Sequence, residues 1–114
     1  MDLDLQFRTD EQGRSVISLS GAFDLTTREA VLSAGTNALE GNDCGVVLDL
    51  AGVTFIDSSG LGALVQLANL GRDSERPVVL RDPSVRVMRV LELTALDTTL
   101  SIERSTDATA GGHA

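Results

Sequence analysis

Lysine is absent from the 114 residues, and seventeen acids against nine arginines leave a formal net charge of −8. A nucleic-acid face needs clustered cations to neutralise phosphates, so the composition argues against DNA or RNA as a partner. There is no Trp or Tyr and only three Phe, so any core must be built from Val, Leu, Ile and Ala. The single cysteine, Cys44, excludes an internal disulfide and a multi-cysteine metal site, and the single histidine, His113, lies in the last residues. No apolar run is long enough to span a bilayer, and the opening MDLDLQF lacks the basic and continuous apolar regions of a secretory signal, so the expected location is the cytoplasm.

What remains is one domain's worth of chain with strands and helices in alternation. LDLQF and SVISLSGAF alternate apolar with polar residues around the turn-like TDEQGR and predict a β-hairpin. TTREAVLSAGTNALEG predicts a helix capped by Thr26, with Glu29 completing a capping box, Gly41 ending it, and Val31, Ala34 and Ala38 facing inward. GVVLDL reads as a central strand, with Asp49 its one polar anomaly. Leu61, Leu64, Val65 and Ala68 follow helical spacing up to a stop at Gly71. PVVLR predicts another strand. A third helix follows, with Asp82 as cap, Pro83 in the first turn, and an inner face of Val87, Val90, Leu91 and Thr94. LSIE is a last strand, and residues 105–114 read as a disordered tail after a domain of residues 1–104. The expectation is an α/β fold, a mixed sheet in the order β-β-α-β-α-β-α-β with helices packed against it and an antiparallel hairpin at one side.

The string TFIDSSGLGALVQL places an acid, two hydroxyls and two glycines at the entrance of an apolar helix. The first amides of a helix lack internal acceptors, and its dipole makes that end partly positive, so Asp57 or Ser58 as N-cap accounts for one polar residue. It does not account for Gly60 and Gly62, each costing roughly 1 kcal/mol relative to alanine inside a helix. Glycines flanking Leu61 leave backbone open to the close approach of another macromolecule. A serine nucleophile would need a base, and none is at hand. A phosphate cradle would need a fuller glycine fingerprint, and Asp57 and Asp24 would repel a polyanion. The third reading is that Ser58 accepts a phosphoryl group, adding about −1.5 to −2 charges beside those aspartates, more than a helix end of about half a charge can compensate. The arginines Arg72, Arg76, Arg81, Arg86 and Arg89 read as a solvated surface, and Cys44 as an ordinary thiol.

LSGAFDLTTREAV, VVLDLAGVTFIDSSGLGALVQL and LELTALD together resemble the STAS domain, and within it the small bacterial anti-anti-sigma factors. The resemblance implies a non-enzymatic binding module without a cofactor or a metal. Its unphosphorylated form would bind an anti-sigma factor that is also a serine kinase, so that sigma factor is released. Phosphorylation on Ser58 would end that binding, and a metal-dependent serine phosphatase would restore it. Asp24, Asp57 and Ser59 would form the surroundings of the phosphosite, and Gly60, Leu61 and Gly62 would meet the partner. Ala95 stands where the family commonly has glycine, which puts the end of the third helix in question. The alternatives are a STAS scaffold in a larger stress-sensing or transporter-associated complex, and a nucleotide-binding protein using the Gly60–Gly62 turn.

Overall fold

In a computed structural model, residues 3–105 are described; His113 and the rest of the expected tail beyond Ser105 lie outside them. Alternating apolar residues lay down a five-stranded sheet of β1 (Leu3–Thr9), β2 (Ser15–Phe23), β3 (Val46–Ile56), β4 (Val78–Arg81) and β5 (Ser101–Glu103), in that spatial order. β1 runs antiparallel to β2, and the other pairings are parallel, so the expected hairpin and βαβ units are present. Each parallel step is bridged by a helix: α1 (Arg28–Gly41), α2 (Ser58–Asp73) and α3 (Val85–Leu93). Right-handed crossovers between strands laid down in sequence return each helix to the same face. Ile17, Leu19, Leu48, Leu50 and Leu80 accordingly share one core with Val31, Leu39, Leu64, Leu67, Val87 and Leu91 from the helices. Each of these side chains contributes about 1.5–3 kcal/mol of burial, which holds the helices to the sheet without aromatic bulk.

The helix ends correct three expectations. Thr26 does not cap α1; Thr27 occupies that position without a side-chain cap bond, because its hydroxyl is spent on the carbonyl of Ala22 at 3.0 Å. The inner face of α1 is Val31, Leu32, Gly35 and Leu39, with Ala34 and Ala38 only half-buried. Asp82 does not cap α3; Ser84 does, accepting from the amide of Val87, while Asp82 receives the amide of Ser105 at 2.9 Å and its hydroxyl as well. Ser105 is thus hydrogen-bonded to the residue that follows β4. Gly71 does not stop α2, which continues to Asp73; it is buried, and an added Cβ would lie 2.5 Å from the carbonyl oxygen of Arg76. α3 ends through Ala95 in the left-handed conformation at φ 61°, so alanine here adopts the backbone that glycine favours.

Two register shifts separate β2 from β3. Ser18 pairs with Asp49 and Phe23 with Ile56, so β2 takes five steps where β3 takes seven. The far face of the sheet is polar, and it carries a network that composition alone concealed. Asp10, in the β1–β2 turn, accepts from Arg14 Nε at 2.8 Å and lies 3.4 Å from Arg81 Nη2; Glu103 receives Arg81 at 2.8 Å and Arg14 at 3.2 Å. Arg81 is 9% exposed, so it is not part of a solvated surface. The network crosses β2 and β3, where Val16 and Val47 are fully buried. Burial would push the carboxyls of Asp10 and Glu103 up. Bonds from the Arg14 amide, the Arg14 guanidinium and the Gln12 amide outweigh it at Asp10, as Arg14 and Arg81 do at Glu103, and both end below the usual carboxylate range.

Candidate functional site

β2 and β3 run parallel and end as neighbours, with Phe23 paired to Ile56, so Asp24 and Asp57 leave the sheet side by side. The amide of Asp57 donates to the carbonyl of Phe23 at 3.3 Å, tying the exit of one strand to that of the next. Asp57 is extended at φ −115°, and its Oδ1 accepts from the amide of Gly60 at 3.1 Å, an N-cap worth about 1 kcal/mol. Ser58 therefore becomes the first residue of α2. It is exposed, while Ser59 is half-buried.

Asp24 organises the neighbouring turn. Its carboxylate accepts from the Thr26 hydroxyl at 2.6 Å and the Thr26 amide at 3.0 Å, and its own amide donates to Thr27 Oγ1 at 3.0 Å. The hydroxyl of Thr26, then its amide and the Thr27 hydroxyl, hold the Asp24 carboxyl below its ordinary range against a smaller opposing effect of burial. Both carboxylates are thus held in place, Asp24 by the Thr26 hydroxyl and amide and Asp57 by the Gly60 amide. Neither forms an ion pair with an arginine among the described residues.

The two glycines differ sharply. Gly60 is buried, and a Cβ there would come within 2.6 Å of the Phe23 carbonyl oxygen and 2.8 Å of Ile56 Cγ1. Its bare backbone lets α2 approach the strand ends, so Gly60 has a packing role that the sequence did not reveal. Gly62 is exposed with open space above it, and Leu61 is half-buried against the core. Two large apolar residues missed in the sequence stand out nearby: Leu25, 71% exposed directly after Asp24, and Phe55, 45% exposed two residues before Asp57. A leucine following a strand-ending aspartate and a phenylalanine flanked by Thr54 and Ile56 were the available signals.

Cys44, exposed, precedes the opposite end of β3, and among the described residues no group of His, Cys, Asp and Glu could hold a metal ion. What the arrangement offers is an accessible hydroxyl at a helix start, beside two fixed carboxylates and a fringe of exposed apolar surface.

A five-stranded mixed sheet with three helices, and a helix entry presented at its parallel strand ends, defines an α/β module, and comparison with known proteins narrows that class. The family model described as "Mlab, STAS domain" matches residues 7–103. The anti-sigma-F factor antagonist RsfB of Mycobacterium tuberculosis is 32% identical over 94 residues, covering 82% of this chain and 75% of the relative. The crystal structure of an anti-sigma factor antagonist from Mycobacterium paratuberculosis superposes with a TM-score of 0.75 at 28% identity, over 97% of this chain and 93% of that one. The phosphorylated form of the Bacillus cell fate determinant SpoIIAA shares the fold, with a TM-score of 0.71 at 20% identity over 94% and 96% of the two chains. The chain belongs to the STAS domain family, among its anti-sigma factor antagonists. No helix among the described residues is long and apolar enough to cross a membrane.

Proposed function

We propose that this protein is a cytoplasmic, non-enzymatic anti-anti-sigma factor whose binding is switched by phosphorylation of Ser58. The observation that carries the proposal is an exposed hydroxyl at the start of α2, directly after Asp57 and at neighbouring strand ends with Asp24. Unphosphorylated, the surface of Ser58, Leu61 and Gly62, with Leu25 and Phe55 at its fringe, binds an anti-sigma factor serine kinase, and sigma factor is released. In the kinase complex the Ser58 hydroxyl attacks the γ-phosphorus of ATP. Its proton passes to a base of the kinase, the new O–P bond forms, and ADP departs. The added charge of about −1.5 to −2 then faces two carboxylates and a helix end of about +0.5, so the contact surface turns strongly anionic without refolding. A metal-dependent serine phosphatase reverses the change by hydrolysing the O–P bond.

The test is phosphorylation by the partner kinase, followed by mapping of the phosphate by mass spectrometry. Transfer is expected on Ser58 and is lost in Ser58→Ala; phosphate that persists in that variant and maps elsewhere overturns the assignment. Calorimetry with the same partner completes the test. Ser58→Asp is expected to weaken binding by about tenfold or more while the thermal transition persists. Recovery of a large membrane-bound assembly with no kinase-like partner would instead favour the scaffold reading.

A further inference from the structure

We propose that β1 is a self-pairing edge, through which two copies of this chain join antiparallel into one continuous sheet. Among the described residues β1 pairs only with β2, and no strand among them lies on its outer side. The backbone phase says which groups face outward. The amide of Asp10 donates to the carbonyl of Arg14, while the amide of Ser15 is directed away, to the carbonyl of Gly45 before β3. With the Thr9–Ser15 register this directs the even-numbered residues of β1 at β2 and leaves the amides and carbonyls of Leu3, Leu5, Phe7 and Thr9 on the free edge.

The side chains then select the partner. In an antiparallel pairing about a two-fold axis at Gln6, Asp4 of one copy stands opposite Arg8 of the other, and Arg8 opposite Asp4. Leu5 stands opposite Phe7, and Leu3 opposite Thr9. The charged pairs fall on the polar face of the sheet, since Asp4 and Arg8 share it with Ser20 and Ser18. The apolar pairs fall on the helix-bearing face, where Leu5 is half-buried and Phe7 is 63% exposed. A shift of two residues parts Asp4 from Arg8, and a shift of one turns apolar residues against polar ones. Charges on an edge strand ordinarily deter pairing with other strands. Here their placement deters parallel copies, which set like charges opposite one another, while matching an antiparallel second copy. A second copy is therefore favoured over a foreign strand.

Sedimentation equilibrium of the full, unphosphorylated chain tests this. A reversible monomer–dimer equilibrium is expected. Asp4→Arg and Arg8→Asp each set like charges opposite one another twice per dimer, and each is expected to raise the dissociation constant by about tenfold or more. The combined charge swap re-creates both opposite-charge pairs and is expected to restore the original affinity to within about threefold. Phe7→Pro removes an outward amide that β2 does not use; it is expected to abolish the dimer and keep the thermal transition. A chain that remains monomeric throughout, or a dimer unaffected by the single reversals, overturns the proposal. So does a dimer that the double swap fails to rescue, whether or not the proline variant folds.

Discussion

Two regions of this molecule concentrate charge, and they handle it in opposite ways. On the polar face of the sheet, Asp10, Arg14, Arg81 and Glu103 neutralise one another and lie largely out of water. At the strand ends, Asp24 and Asp57 are held by amides and hydroxyls alone, so their charges remain uncompensated beside an exposed serine. Paired and buried charge joins the turn, β4 and β5. Fixed and unpaired charge leaves a potential that a newcomer to Ser58 must meet. Similar residue types are thus neutralised in one place and left without a counter-charge in the other, and their hydrogen-bond partners make the difference.

The largest expected effect comes from breaking the first region. Arg81→Ala leaves Asp10 and Glu103 short of a cation in a poorly solvated place and is expected to cost about 3 kcal/mol in urea unfolding. Asp24→Asn, by comparison, should lie well under that, since its turn retains the neutral hydrogen bonds. Next in size is Gly60→Ala, expected to cost about 2 kcal/mol, because the new Cβ meets the Phe23 carbonyl and Ile56 rather than solvent. Gly62→Ala two residues on should instead stabilise α2 by about 0.5–1 kcal/mol, and similar effects at both glycines would refute the division of roles drawn between them.

Acid sharpens the same contrast. Asp10 and Glu103 have folded values below their unfolded ones, so their contribution is complete above the ordinary carboxylate range and fades as pH falls through that range to the depressed folded values. The urea midpoint is therefore expected to fall between about pH 5 and pH 3, and Asp10→Asn should flatten that fall. A small effect is also expected at the end of α3: Ala95→Gly relieves a left-handed alanine and is expected to add about 0.5 kcal/mol, read as a rise in the thermal midpoint.

The order of strands and helices was legible in the sequence because each element carries its own period, and a cap at Asp57 or Ser58 was legible because amides at a helix start need an acceptor nearby in the chain; the structure selects Asp57. Such local logic fails where an equally local alternative exists. Thr26, Thr27, Asp82 and Ser84 all suit a helix start, and contacts to Ala22, Ser105 and Val53 decide among them. Gly60 and Gly71 look like punctuation, yet their reason lies in strands that cross beside them. The charged network was invisible for the same reason, since positions 10, 14, 81 and 103 meet only after the sheet has formed. At the site, the hydroxyl and its aspartates could be read from one short string together with Asp24. The exposure of Leu25 and Phe55 depended on which face each strand end presents.

The two register shifts between β2 and β3 have a bearing on how this surface tolerates change. In plain register Asp24 would stand opposite Phe55; the two extra steps in β3 bring it level with Asp57 instead. The spacing of the two anions is thus set by chain length in a stretch that touches neither of them. Losing a single residue between Ala51 and Thr54 would slide one carboxylate past the other by about 3.3 Å and turn the following side chains over. Here, counting residues matters more than choosing them.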